Sequence, residues 1–336
     1  MLADRRASSP EEVVAQLLAV QAQDARAVRL SIRSRSHLAS SAEVDAALTQ
    51  RRTLVIGSLQ RTTLHLVAAT DYWWLHALLT PRQRTSNATR LRQEGVSEHQ
   101  AERGVEVIAE AVQDGPLTRA QLRGCLDGAG VPTAGQALPH LIHAAAMAGV
   151  VVRGPVVGGE QAFVDARSWL GAPPDEERDD QLARLADRYL LGHGPAAPED
   201  LAKWSGLALG ECRRAFAAIA ERTRPWGDLV ALANPTEPGG LPAPTLLGGF
   251  DPILHGWASR RLFVPTDDGV VTNNGIFRPT ALVDGRVVAT WGLASGRLTL
   301  TPLTRISKAA LAALESDAES VGRYLGVGPP AFVVAR

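Results

Sequence analysis

The chain has almost no lysine and few aromatics, and its little cysteine and lack of a long apolar run each remove a class of protein. Its only two cysteines, Cys125 and Cys212, each sit in a helix-like segment, which argues against a disulfide framework or a cysteine metal site. Both are expected to be small buried apolar residues. No apolar stretch reaches the ~20 residues that cross a bilayer. The opening MLADRRASSPEE has no apolar signal core, so no membrane association and a cytoplasmic location are expected. Glycine-rich phosphate loops, His/Cys clusters and nucleophile elbows are missing too, which leaves ATP, zinc and serine-hydrolase chemistry unsupported. Neither a metal nor a cofactor is expected.

What is there suits a globular protein: 336 residues, 45% of them apolar, are enough for two or three domains with their own cores. The formal net charge of zero hides an asymmetry. Lysine occurs only at 203 and 308, and arginine dominates residues 21–92, at Arg26, Arg29, Arg33, Arg35, Arg51, Arg52, Arg61, Arg82, Arg84, Arg90 and Arg92. Only Asp24, Glu43, Asp45 and Asp71 oppose them there, while acidic residues gather between 175 and 187. A local basic field of this kind attracts a phosphate backbone; the plainer alternative is a solvated arginine face.

Element order repeats along the chain. Ser9-Pro10-Glu11-Glu12 is a capping box with proline in the first turn, Asp24 can cap a second helix, and Ser40 with Glu43 opens a third. The β-branched runs 53–59 and 62–67 then read as a hairpin. Helices over 105–112, from Thr118 and from Pro132 to Met147 precede a second hairpin around Gly158-Gly159. A weaker third copy occupies 179–232. After a Pro/Gly-rich linker at 234–244, short strands alternate with Asn274-Gly275, Asp284-Gly285 and Ser295-Gly296, a strong hairpin signal, and 307–325 closes as an amphipathic helix. The predicted architecture is mainly α with β: winged helices at 1–80, 81–172 and 173–233, then an antiparallel β-barrel-like domain at 245–336.

The stretch with the most chemical content is 17–35, where Gln21-Ala22-Gln23 joins two helices. On a continuous helix residues two apart do not face each other, whereas in a kinked junction both amides can share one side. Glutamine is a poor proton acceptor, yet its amide can hold a water and present an oxygen dipole to a developing cation. Such a site suits a leaving group that is already activated, for example a cationic alkylated purine departing from a deoxyribose that becomes oxocarbenium-like. The bland alternative is a pair of surface amides at a helix end.

Gln21-Ala22-Gln23, RTTLHL at 61–66, FDPILHGWASRR at 250–261 and NGIFRPTALVDGRVVATW at 274–291 together resemble the AlkZ/YcaQ-like bacterial DNA glycosylases, over nearly the whole chain. The resemblance implies three winged helices in a C-shaped array with a β-barrel, acting on bulky or crosslinked N-alkylpurines in double-stranded DNA. The family motif is Gln-x-Gln in the AlkZ branch and Gln-x-Asp in the YcaQ branch, and Gln21 and Gln23 match the former. It further implies a monofunctional enzyme that works through water without a lysine Schiff base. A role in self-resistance to a DNA-alkylating natural product is also implied.

Candidate DNA contacts follow. Arg26, Arg29 and Arg33 recur at roughly helical spacing and are expected to line one face toward phosphates. Arg51, Arg52 and Arg61 flank the first hairpin. His65 lies among apolar strand residues and reads as either structural or DNA-facing. Arg260 and Arg261 follow Asp251 and either contact phosphate or pair with that aspartate. Trp73, Trp74, Trp204 and Trp291 are assigned to packing. A monomer is expected, and the competing reading is a non-enzymatic winged-helix regulator that selects a DNA sequence.

Overall fold

The computed structural model describes residue 2 and residues 7–234, 240–264 and 269–335; of the expected linker, 235–239 lie outside the described residues. The protein is a mixed α and β structure that divides into two compact units. Unit 1 comprises Met1–Asp45 with Ala183–Arg336, and unit 2 comprises Ala46–Leu182.

In unit 1 the C-terminal strands are organised by alternation. The sheet runs in the order Ala331–Val334, Arg297–Pro302, Arg286–Ala294, Thr280–Val283, Thr245–Leu247. Its first pair is parallel and the others antiparallel. Tight turns join the central strands because Asp284, Gly285, Ser295 and Gly296 all adopt positive φ, the requirement of a hairpin turn that follows the strand twist. Period-two alternation sends Leu246 and Ala281 to one face and Leu247 and Leu282 to the other. A register shift between Val287 and Ala289 re-aims the strand, so these two residues, of equal parity, enter opposite cores.

Helix Lys308–Leu325 covers one face with Leu314, Ala318 and Val321, and Leu30 from helix Ala25–Arg33 enters the same core. Trp291 spans this core and donates its indole N–H to the Leu247 carbonyl at 2.9 Å. The expected barrel does not form: among the described residues the sheet stays open, with Thr245–Leu247 and Ala331–Val334 as its two edges. Each face of the central strands packs on its own buried cluster, while the edge strand Ala331–Val334 stays largely exposed.

Unit 2 carries the two expected hairpins, Leu54–Ser58 with Leu64–Ala68 and Val151–Val157 with Glu160–Asp165. They join through the pairing of Ile56 with Arg153. Thr118 and Gln121 form the expected capping box at the start of Arg119–Gly128. The buried positions of that helix are Leu122 and Leu126, which turns Cys125 outward and corrects its expected burial; Cys212 is buried. Helix Pro81–Gln93 has no apolar face to announce it in the sequence. It seats through Gln83, Asn87 and Leu91, a narrow stripe at four-residue spacing. Trp73, Trp74, Trp204 and Trp291 are all buried. No described helix is long and apolar enough to cross a membrane.

Candidate active site

Ser9 accepts from the Glu12 amide at 3.2 Å and starts helix Pro10–Leu17, which ends at Leu18 with φ 67°, a value L-residues rarely adopt. That turn ends the helix and sends the chain into the extended pair Val20–Gln21. Asp24 opens the next helix, Ala25–Arg33, by accepting from the Ala27 amide at 2.8 Å. Helical continuity is therefore broken exactly where the two glutamines stand, and Gln21 Nε2 donates to Gln23 Oε1 at 2.9 Å. Gln21 is buried and Gln23 exposed, so one amide is anchored in the wall while the other meets solvent. The bond itself stabilises by only about 1 kcal/mol. Its consequence is orientation: the Gln23 carbonyl is fixed and retains a second lone pair, and the Gln21 carbonyl oxygen is not consumed by the pair.

Two close approaches hold the flanking helices. A Cβ at Gly192 would meet the Gln16 carbonyl oxygen at 2.5 Å and Leu17 Cα at 3.3 Å. One at Gly248 would meet the Ala27 carbonyl oxygen at 2.7 Å and Leu30 Cβ at 3.0 Å. Both obstacles include backbone, so neither can swing aside as a flexible side chain would.

The arginine stripe on the second helix is mostly committed inside the protein, which departs from the expectation of a phosphate-facing row. Arg33, 6% exposed, pairs with Asp317 on the C-terminal helix, and the same carboxylate accepts from the Leu246 amide at 2.7 Å. Arg29 pairs with Asp45 and reaches the Ala25 carbonyl at 2.6 Å. Arg26 is exposed and donates to the Leu293 carbonyl at 3.1 Å. Helical periodicity placed these cations on one face, but opposing carboxylates distant in sequence decide what that face does.

Asp251 is taken by Arg35 and not by Arg260 or Arg261. The guanidinium donates to both carboxylate oxygens, at 2.9 and 2.7 Å. Asp251 also accepts from the Ile253 amide at 3.1 Å, which caps the short helix Pro252–His255. Arg260 lies over the Phe277 ring at 5.1 Å, and Arg261 is exposed. In the same unit His193 stacks on Tyr189 at 4.8 Å with rings 7° from parallel. Burial, reinforced by the neighbouring charges of His255 and Arg35, pushes the His193 imidazole down to about 3.

In unit 2, Arg51 and Arg52 are exposed, with Arg52 resting 3.9 Å over the Trp169 ring. Arg61 is exposed in the turn Gln60–Thr62 with φ 47°. His65 is 1% exposed, and its Nδ1 donates to the Thr63 carbonyl at 3.1 Å, so this imidazole belongs to the strand interior.

The model of the DNA glycosylase AlkZ-like family matches residues 14–324, which takes in the glutamine junction, the arginine helix, most of unit 1 and all of unit 2. The chain belongs to the AlkZ-like DNA glycosylase family. It is accordingly a DNA glycosylase, with DNA as its substrate. The fold is similar to that of the Streptomyces sahachiroi DNA glycosylase AlkZ, with a TM-score of 0.81 at 23% identity, covering 99% of this chain and 95% of that one. No curated protein sequence matches.

In this AlkZ-like chain the residues that sequence reasoning missed are those that hold the helices on either side of the junction: Gly192, Gly248, Asp317 and the Arg35 partner of Asp251. Asp317 and Asp251 each lie more than two hundred residues from their arginine, so no local pattern pairs them. Gly192 carried one signal, a glycine in the last turn of an amphipathic helix, which costs helix stability unless something approaches closely.

Proposed function

We propose that this glycosylase hydrolyses the N-glycosidic bond of cationic N-alkylated purines, bulky N7-guanine adducts or interstrand crosslinks, in double-stranded DNA. The observation that carries this reading is the hydrogen bond from the Gln21 side-chain amide to the Gln23 carbonyl oxygen at a break between two helices. Alkylation at N7 puts a positive charge on the base and removes the need for a general acid. Water then has only to be brought to C1′ while the sugar passes through an oxocarbenium-like state. Gln23, exposed and oriented by its partner, holds that water through its remaining lone pair. Gln21, anchored in the wall, orients it and lends its carbonyl dipole to the sugar cation. No lysine Schiff base takes part.

The three helix-helix-helix-hairpin runs at 1–80, 81–172 and 173–233 are read as winged helices, and the enzyme as a monomer. Arg26 near the glutamines, Arg51, Arg52 and Arg61 around the first hairpin, and Arg260 and Arg261 are the groups proposed to meet phosphate, since all but the half-buried Arg260 are exposed. Protection of a producer from its own DNA-alkylating product is the role that bulky substrates fit.

The test is a set of duplexes carrying one N7-methylguanine, one bulky N7-alkylguanine or one interstrand N7 crosslink, each scored for abasic sites under single-turnover conditions. Release of one or more of these, with none from an uncharged lesion such as uracil, supports the reading. Equal release of uracil contradicts it, because a neutral leaving group needs the proton donor that two glutamines do not supply.

A further inference from the structure

Unit 2 contains an open cavity of about 450 Å³, within the roughly 300–1,000 Å³ of small-molecule sites. Ser58, Arg90, Arg119, His143, Arg153 and Phe163 line it, and no carboxylate belongs to its described lining. Arg90 and Arg119 are exposed, while Arg153 is half-buried with its guanidinium 4.2 Å from the centre of the Phe163 ring. Burial pushes Arg153 down to about 10, and the neighbouring Arg119 adds to this; Glu160, which accepts from the Arg119 backbone amide at 3.2 Å, offsets part of it. Arg153 thus faces a second cation across a space whose described lining holds no carboxylate, an arrangement that favours an anion.

A neutral imidazole accompanies them. Ser58 Oγ lies 3.1 Å from His143 Nδ1, and His143 Nε2 is buried with no hydrogen-bond partner among the described residues. Burial pushes this imidazole down to about 4, so it is uncharged at neutral pH. The space exceeds what a bare phosphate fills, and apolar side chains such as Ile56 and Ile142 form part of its wall. A phosphate attached to something apolar and flat therefore fits better than an inorganic anion.

We propose that this cavity is a nucleotide-binding site, in which Arg119 and Arg153 hold the phosphate, Arg90 guards the rim and the apolar wall receives the base. The nucleotide is either free or part of a DNA strand, and the shared chemistry is the phosphate ester. The lining belongs to unit 2 and the glutamines to unit 1, so an unchanged base-release rate in Gln21→Ala bears on the glutamine chemistry and not on this proposal.

The experiment uses the full chain. Binding of dGMP, deoxyguanosine and inorganic phosphate is measured by calorimetry, and binding of an undamaged duplex is measured across a salt series. Wild type is compared with Arg119→Gln, an exposed position, and with Arg153→Gln, each checked by circular dichroism melting. If the nucleotide is taken free, dGMP binds wild type at least tenfold more tightly than deoxyguanosine, and Arg119→Gln loses at least tenfold. If it is taken within a strand, dGMP affinity is insensitive to the substitution. Duplex affinity then falls at least fivefold, and the slope of log affinity against log salt shrinks by about one. Unchanged dGMP affinity together with unchanged duplex affinity and salt slope in folded Arg119→Gln overturns the proposal.

Discussion

Arg35 and Asp251 form a two-pronged ion pair with 3% and 0% of their side chains exposed, and through it the arginine-bearing end of the second helix is tied to the start of helix Pro252–His255. Removing one partner leaves a buried charge alone. Arg35→Met is expected to destabilise the protein by about 3–5 kcal/mol. The double variant Arg35→Met/Asp251→Leu recovers much of that, because the unpaired charge is gone. Urea unfolding of the two variants checks this; a cost below about 1 kcal/mol for the single variant contradicts a closed pair.

Arg33 is expected to separate structure from DNA binding. Its guanidinium is held by Asp317, so Arg33→Met lowers stability by about 3 kcal/mol without changing the salt slope of duplex binding. Arg26→Met does the opposite: stability is nearly unchanged and the slope falls by about one if the exposed guanidinium meets a phosphate. A slope change with Arg33→Met and none with Arg26→Met would reverse the assignment.

These two arginines also mark where sequence reading stops. Arg26, Arg29 and Arg33 share a face by periodicity alone, and nothing within the helix distinguishes the exposed member from the buried one; Asp45 and Asp317 do. The hairpins at Asp284-Gly285 and Ser295-Gly296, by contrast, are written in a pair of adjacent residues that tolerate positive φ, and the capping box of Thr118 and Gln121 spans one turn. Local devices were legible. The edge strand Ala331–Val334, which pairs in parallel with Arg297–Pro302 across a whole helix, and the polar helix Pro81–Gln93 were not, because the contacts that create them are distant or carry no hydrophobic period. The glutamine pair lies between these cases. Its spacing was visible, but its single-sidedness depends on the Leu18 turn, where a leucine adopts a backbone conformation that its sequence does not advertise.

Gly192→Ala is expected to disturb chemistry through the backbone. The new methyl would meet the Gln16 carbonyl oxygen at 2.5 Å and displace the last turn before Leu18, at a stability cost of about 1–3 kcal/mol. Single-turnover base release at saturating enzyme falls at least tenfold while duplex affinity stays within twofold. A loss of affinity with an unchanged rate would show that the close approach positions something other than the glutamines.

Buried histidines make the fold acid-sensitive. His193 is pushed down to about 3 from an ordinary value near 6.5, so between these limits the unfolded chain binds the proton and the folded protein does not. Its contribution is fully present above pH 6.5 and is lost progressively as the pH falls toward 3. At pH 5 the proton linkage costs about 2 kcal/mol. His193→Phe keeps the stack on Tyr189 and removes the proton site, so its stability declines less steeply between pH 7 and 5 than that of wild type. Parallel pH curves for the two proteins would contradict this.

The central claim is that two glutamines, joined to each other, run the hydrolysis. The most direct measurement is the single-turnover rate of base release from a duplex carrying one N7-alkylguanine, compared among wild type, Gln21→Ala and Gln23→Ala with folding and duplex affinity verified. Each substitution is expected to lower the rate by about a hundredfold or more, as the loss of one oriented polar group at a developing charge does, and the double variant little further. Folded, DNA-bound variants that release the base at the wild-type rate would contradict the account.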